Sequence, residues 1–167
     1  VGLSYEAKIV PFHMWAVDTY YASDNSITAL LIILKSSILV AIIKLFFYAV
    51  QYSAGIIRPV LLFLVISTIL VPSLLAISQE RIKRLIVYSS IAQAGFAFAA
   101  ISMLNQLAIS GAIFYIFAFT VSEVLLFLSL NEFESSGANL VDNLYKIKRS
   151  SNIYAVSFVV GLLSLAG

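Results

Sequence analysis

The chain has 167 residues, of which 62% are hydrophobic and only 11% are charged, and its formal net charge is +2. Because soluble domains are about one-quarter charged, this composition excludes an ordinary soluble domain and indicates a protein that crosses a membrane several times. The absence of cysteine excludes disulfides, thiolate metal sites and cysteine nucleophiles. No nucleic-acid partner is expected, because most Lys and Arg residues lie in short connectors and act as topology signals.

The first predicted segment, about residues 1–17, is a helix interrupted by proline. Pro11 removes a backbone donor and is expected to kink or break the helix. Broken helices are tolerated at membrane depth where they are buried in protein or line a wet cavity. Glu6 and Lys8 precede the break and His13 follows it, so three titratable side chains are expected near it.

The second segment, about residues 26–50, is predicted to span the membrane. Lys35 lies about nine residues inside it, which is about 13 Å along a helix that rises 1.5 Å per residue. A charge at the centre of a membrane helix costs about 2.5–3.5 kcal/mol. Lys35 is therefore the strongest candidate for a functional residue. The preceding connector, residues 18–25, is flanked or occupied by aromatic side chains predicted to lie at the membrane interface: Trp15, Tyr20 and Tyr21.

Further apolar runs predict spans over about residues 56–78, 82–104 and 108–131, and a partial span from residue 152. Glu123 lies deep in the last full run. Within the connector, residues 132–150, a short surface-lying amphipathic helix is predicted from the spacing of Leu140, Val141, Leu144 and Ile147.

The predicted fold is an all-α polytopic membrane protein. It is a helix bundle with discontinuous helices, about five full spans and a partial one, in a single membrane domain over residues 1–167. The first and last segments are expected to be halves of broken helices. Both ends of the chain fall within apolar runs, which favours a piece of a larger protein or one product of a split gene.

Consecutive spans alternate in direction, so the connectors after the first, third and fifth segments are expected on one side. That side carries most of the connector charges: Arg81, Lys83, Arg84, Lys146, Lys148 and Arg149. The opposite side carries only Arg58, with Lys44 close to it. The positive-inside rule therefore predicts that the basic side faces the cytoplasm or matrix. Its first three basic residues are expected to anchor the topology or contact anionic lipid.

Three passages carry a family resemblance. They are Val10–Trp15 (VPFHMW) with Asp18-Thr19-Tyr20, then Leu75–Gly95 (LAISQERIKRLIVYSSIAQAG), and finally Leu162–Gly167 (LLSLAG). These passages resemble subunit 2 of respiratory complex I, the NADH:ubiquinone oxidoreductase, a NuoN-type antiporter-like membrane subunit. The resemblance implies that the chain covers the family's seventh helix to the start of its twelfth.

This resemblance implies proton translocation through buried lysines, driven by NADH:ubiquinone oxidoreduction elsewhere in the complex. Flavin, iron–sulfur clusters and quinone are expected on other subunits, with no cofactor or metal on this chain. The implied partners are other membrane-arm subunits, including one supplying the upstream helices and one supplying the helices after Gly167, together with lipids such as cardiolipin. The expected location is the mitochondrial inner membrane, which the composition favours over a bacterial inner membrane.

The lysines typical of the family do not all have a lysine at the matching position of this sequence. Glu6 occupies the position where family members carry a lysine, and Lys8 follows two residues later, about 200° further around a helix. Lys35 matches the lysine of the next helix if the connector is one residue shorter. Gln93 stands where bacterial relatives often have histidine, and Glu123 has no recognised counterpart.

Each candidate residue has a functional and a structural interpretation. Lys35 is either a proton relay or the static partner of a carboxylate. Lys8 and Glu6 are either part of the same relay or an ion pair with each other. His13 either shuttles protons or closes the turn. Glu123 is either an acidic relay residue or a neutralising partner of one of the lysines.

Other interpretations stay open at this point. Ser89, Ser90 and Gln93 either hold water in the bundle or bond neighbouring helices. The whole chain is alternatively a subunit of a cation/proton antiporter complex, or a structural membrane subunit with a decayed pump. Glu6 in place of the usual lysine favours the decayed pump.

Overall fold

The computed structural model describes residues 2–51, 54–103, 105–135, 141 and 152–166. These residues form seven α-helices: α1 (Gly2–Glu6), α2 (Met14–Ala22), α3 (Asn25–Gln51), α4 (Ala54–Ile77), α5 (Ile82–Ser102), α6 (Gln106–Ser135) and α7 (Asn152–Ala166). The predicted surface helix in the last connector lies outside the described residues apart from Val141, as do Lys146, Lys148 and Arg149.

The predicted break in the first segment is confirmed. Residues 7–13 are not helical and separate α1 from α2, with a cis peptide bond before Pro11. The predicted connector was wrong, because α2 continues to Ala22 and only two residues separate it from α3. The Ser23 amide donates to the Thr19 carbonyl at 3.1 Å, which extends the helical bonding almost to the start of α3.

Three helices contain stretches that are long and apolar enough to cross a membrane: Asn25–Leu45, Arg58–Ile77 and Gln106–Glu134. α5 has 21 residues, and α7 has a shorter apolar stretch over Ile153–Ala166. The described residues therefore form a polytopic all-helical membrane protein, and the number of five full spans stays a prediction. α4 packs mainly against α5, whereas α6 packs against α3, α5 and α7.

Two separate apolar clusters fill the interior of the bundle. One contains Ile32 of α3 and Leu126 of α6, and the other contains Leu39 and Ile116 of the same two helices. Between the clusters lie the side chains that we call the polar layer: Lys35, Ser36, Ser90, Gln93, Thr120 and Glu123. The helices thus enclose a polar level between two apolar ones.

α4 and α5 approach each other closely at Gly95. A methyl group at this position would lie 2.7 Å from Ile69 Cγ1 and 3.2 Å from the Ile69 backbone nitrogen. We expect Gly95→Ala to lower the stability of the bundle by about 1–3 kcal/mol, because the neighbouring backbone must move. The change is measured as the thermal midpoint of the purified assembly. Gly111→Ala is the matched control, since its new methyl group meets nothing within 4 Å; equal midpoints in the two variants would contradict the close packing.

The α2–α3 turn, the start of α5 and the end of α6 meet at one end of the bundle. The Lys83 ammonium donates to the Ser23 carbonyl at 2.5 Å, and the Asn25 amide donates to Glu134 Oε2 at 2.9 Å. The described parts of the three connectors predicted to share a side do lie together. The side of the membrane that they face stays a prediction.

The three basic residues at the start of α5 do not act as one cluster. Lys83 is buried and turned inward, whereas the guanidinium carbons of Arg81 and Arg84 lie 5.1 and 4.7 Å from the centroid of the Tyr21 ring. Arg84 also contacts Asp18 at 3.5 Å. The sequence pattern could not separate Lys83 from its neighbours, because the acceptor on Ser23 comes from a distant part of the chain.

Candidate functional site

The centre of the polar layer is an ion pair between α3 and α6. The Lys35 Nζ atom lies 3.1 Å from Glu123 Oε2 and 3.5 Å from Oε1. The two residues are only 3% and 0% exposed. They are 88 positions apart in sequence, and they meet because α3 and α6 pack against each other. The structure therefore brings together the two deepest charges that the sequence analysis had singled out.

Lys35 has two further contacts besides Glu123. Its ammonium group donates to Ser90 Oγ of α5 at 2.6 Å and lies 4.7 Å from the centroid of the Phe119 ring. Of the three polar residues of α5 singled out in the sequence, Ser90 reaches the lysine directly, whereas Ser89 is half-buried. A hydroxyl and an aromatic face can each stabilise an ammonium group. The Lys35 ammonium is therefore stabilised by Ser90 and Phe119 as well as by Glu123.

Lys8 lies in the break between α1 and α2 and points into the bundle. Its backbone has φ 58°, in the left-handed region, which costs a residue with a side chain about 1–2 kcal/mol. The helix has ended before Lys8, so the rotation of about 200° expected for a continuous helix does not apply. The unwound backbone leaves Lys8 3% exposed and bonded to the Tyr20 hydroxyl.

Lys8 and the Lys35–Glu123 pair are electrostatically linked. The charges of both Lys35 and Glu123 act on Lys8, and the carboxylate of Glu123 also acts on the phenols of Tyr20 and Tyr115. Glu123 is thus within electrostatic reach of both buried lysines, although it forms an ion pair with Lys35.

Glu6 and His13 occupy different surroundings. Glu6 is exposed at the end of α1, and within the described residues no ion pair joins it to Lys8. The ion-pair interpretation therefore has no direct bond behind it among these residues, although the charge of Glu6 acts on Lys8. The role of Glu6 stays a prediction. His13 is 4% exposed. Within the described residues neither of its ring nitrogens has a hydrogen bond of normal geometry. The backbone of Pro11 is close enough to the imidazole for a weaker polar interaction. Its role as a proton shuttle stays a prediction.

The polar layer continues from the ion pair towards α7. The Gln93 amide nitrogen donates to the Leu165 carbonyl at 2.7 Å, and its amide oxygen accepts from the Tyr115 hydroxyl. These residues line a cavity of about 450 Å³. Phe119 also lines this cavity, and its ring centroid lies 4.7 Å from the Lys35 ammonium. A second link, between Ser122 and Ser164 at 2.6 Å, also joins α6 to α7.

The roles of two residues in the site were missed by sequence reasoning. Tyr20 was expected at the membrane interface, but it is 3% exposed and contacts Lys8. Thr120 was not singled out either, and it donates to Ser36 Oγ at 2.6 Å. Neither residue stands out from an apolar helix, because Tyr and Thr occur on buried and exposed faces alike. Only the spacing of Thr120 and Glu123, three residues apart on one helix face, offered a signal.

The apolar helices define a polytopic membrane protein. Its interior holds ionisable groups: a buried lysine–glutamate pair and a second buried lysine at a broken helix. Such groups mark ion or proton pathways in membrane proteins. The sequence model of the family described as "NADH:quinone oxidoreductase/Mrp antiporter, TM" matches residues 1–167, and the chain belongs to this family.

The chain is similar to bacterial NADH-quinone oxidoreductase subunits. It is 32% identical to NADH-quinone oxidoreductase subunit N 2 of Syntrophobacter fumaroxidans, over 99% of this chain and 35% of the relative. It is also 32% identical to subunit N 2 of Solibacter usitatus and to subunit N of Pelagibacter ubique, which it covers to 34% and 36%. The chain thus spans about a third of the length of these curated relatives.

Solved structures show the same fold. A chain of the membrane-bound sulfane sulfur reductase, an archaeal respiratory membrane complex, superposes with a TM-score of 0.84 over 96% of this chain and 34% of that chain, at 24% identity. A chain of the Mrp complex from Dietzia gives a TM-score of 0.74 over 98% of this chain and 38% of that chain, at 17% identity. Both solved structures are of complexes, and the chain has the antiporter-like helix bundle predicted from its sequence.

Proposed function

We propose that this chain forms part of the proton-translocating membrane arm of an NADH:quinone oxidoreductase. The observation that carries the proposal is the buried Lys35–Glu123 ion pair in the polar layer, with Lys8 in electrostatic contact with it. The relatives named above are subunits of NADH-quinone oxidoreductases, which supports the same assignment.

The ion pair provides a place where a proton is held and released. While Lys35 is protonated and Glu123 is ionised, the two charges compensate each other in a site where both residues are buried. A positive charge arriving at Lys8 repels the ammonium of Lys35 and attracts the carboxylate of Glu123, so it favours opening of the pair. Opening removes the carboxylate that stabilises the Lys35 ammonium, so it favours transfer of the Lys35 proton to a water molecule admitted to the polar layer. Coupling between such sites is typically about 1–3 kcal/mol.

The redox chemistry is proposed to lie on other subunits. Iron–sulfur clusters are held by cysteine thiolates, and this chain has no cysteine. Flavin and quinone are likewise assigned to partner subunits by the family resemblance. The proposed partners are further membrane-arm chains and anionic lipids such as cardiolipin, for which the exposed Arg81 offers a headgroup contact. The composition favours the mitochondrial inner membrane, although the named relatives are bacterial.

The test is Lys35→Met in the native complex. Methionine fills a similar volume but carries no proton, so we expect the number of protons moved per NADH oxidised to fall more than assembly does. Because Glu123 also loses its partner, the ratio is measured on the complex that assembles. Proton movement is measured in vesicles with a pH-sensitive dye. Lys44→Met is the matched control, because Lys44 is exposed on the same helix. A normal proton-to-electron ratio in Lys35→Met would sink the proposal.

A second candidate function is a cation/proton antiporter module, which the similarity in fold to the Mrp complex supports. The same vesicles distinguish it from the main proposal. In that case an imposed sodium gradient moves protons without NADH, and Lys35→Met abolishes that movement. Under the main proposal, only NADH oxidation drives proton movement.

A further inference from the structure

Lys8 is a buried lysine without a direct carboxylate partner among the described residues. It is 3% exposed, and within the described part of the chain no ion pair joins it to Asp or Glu. Lys35, in contrast, contacts Glu123 directly. A buried charge without compensation is strongly disfavoured, so the groups around Lys8 decide how well its protonated form is tolerated.

Two aromatic residues of α2 surround the Lys8 ammonium. The Nζ atom lies 3.9 Å from the centroid of the Tyr20 ring and 5.9 Å from that of Trp15, and it donates a hydrogen bond to the Tyr20 hydroxyl. Trp15 is itself held by Tyr5 of α1, whose ring stacks on it at 4.8 Å and 7°. The two helices that flank the break thus build an aromatic cradle for the lysine that lies between them.

Tyr20 is fixed in place and also faces α3. Its carbonyl accepts from Thr28 Oγ1 at 3.3 Å and from Ser23 Oγ at 3.3 Å, which ties the end of α2 to the start of α3. Its hydroxyl lies 3.5 Å from the Leu31 carbonyl, one helical turn before Lys35. The same phenol therefore touches the Lys8 ammonium and the turn of α3 that precedes Lys35.

We propose that Tyr20 is the positioning residue of Lys8. Its ring and hydroxyl hold the ammonium against α3 in place of a carboxylate, and they set how strongly a charge on Lys8 acts on the Lys35–Glu123 pair. This inference rests on the proposed function.

The test compares two substitutions at one position in the full-length subunit within its native complex. Tyr20→Phe removes the hydroxyl and keeps the ring, whereas Tyr20→Leu removes both. A hydrogen bond to a charged group is worth about a tenfold change or more in an equilibrium. We therefore expect Tyr20→Phe to lower this subunit's share of the protons moved per NADH oxidised by about tenfold. Tyr20→Leu should lower it further. Assembly and NADH oxidation should stay near normal.

Two further variants separate positioning from a structural role. Tyr21→Phe is the control, because Tyr21 is half-buried on the same helix and faces Arg81 and Arg84. Lys8→Met is combined with Tyr20→Phe, and the double variant should match Lys8→Met alone, since Tyr20 acts through Lys8.

Each outcome has a defined meaning. Independent, additive losses from Tyr20→Phe and Lys8→Met, or equal effects of Tyr20→Phe and Tyr21→Phe, would overturn the positioning role. If Lys35→Met retains a normal proton-to-electron ratio, the proposed function itself fails. If Lys35→Met lowers that ratio and Tyr20→Phe does not, only the inference about Tyr20 fails.

Discussion

Glu123→Gln is expected to destabilise the bundle by about 3 kcal/mol or more. The substitution leaves Lys35 without its counter-charge in a site where the two residues are 3% and 0% exposed. Breaking a buried ion pair by removing one partner costs about 3–5 kcal/mol, because the remaining charge stays uncompensated. The expected result is a large drop in the amount of assembled complex and in its thermal midpoint.

The neutral double variant Lys35→Met/Glu123→Gln shows where this cost comes from. With both charges removed, the unpaired charge disappears, and much of the lost stability should return. Glu80→Gln is the control for loss of an acidic side chain, since Glu80 is exposed between α4 and α5. Equal stability of Glu123→Gln and Glu80→Gln would show that the carboxylate of Glu123 does not compensate Lys35.

The second large effect is expected from exchanging the two charges. Lys35→Glu alone places two carboxylates in contact, and like charges at this distance cannot both ionise without a cost of several kcal/mol. We expect this single variant to fail to assemble. Adding Glu123→Lys restores opposite charges across the α3–α6 contact, so assembly should recover in large part.

The exchanged pair also separates a static ion pair from a proton relay. In the double variant the lysine lies on α6, and the new carboxylate, rather than the ammonium, faces Ser90 and Lys8. Proton movement per NADH oxidised should therefore stay low even though the complex assembles. Full recovery of both assembly and proton movement would mean that only the presence of a pair matters. Recovery of neither would mean that the site tolerates one arrangement alone.

Much of the architecture follows directly from the sequence. The apolar runs predicted α3 to α6 to within a few residues, because a helix is the structure that satisfies every backbone group in lipid. Pro11 predicted the break between α1 and α2 for the same reason, since it removes a backbone donor. The depth of Lys35 and of Glu123 was also visible, because both lie within long apolar runs.

The sequence left open which of these charges meet. Lys35 pairs with Glu123 across 88 residues, whereas Glu6 and Lys8, only two residues apart, do not pair within the described part of the chain. Separation along the chain is a poor guide here, because helix packing places distant positions side by side.

The inward direction of Lys8 was decided by the tertiary structure alone. In a continuous helix it would have rotated away from the family's position, but the chain leaves the helix before it and adopts a left-handed backbone. That conformation is unfavourable by itself, and the contacts with Tyr20 and Trp15 that offset it come from α2, on the far side of the break. The sequence by itself determined the helices, the break and the buried charges; only the packing of the helices decided their partners, because those contacts exist only once the bundle has formed.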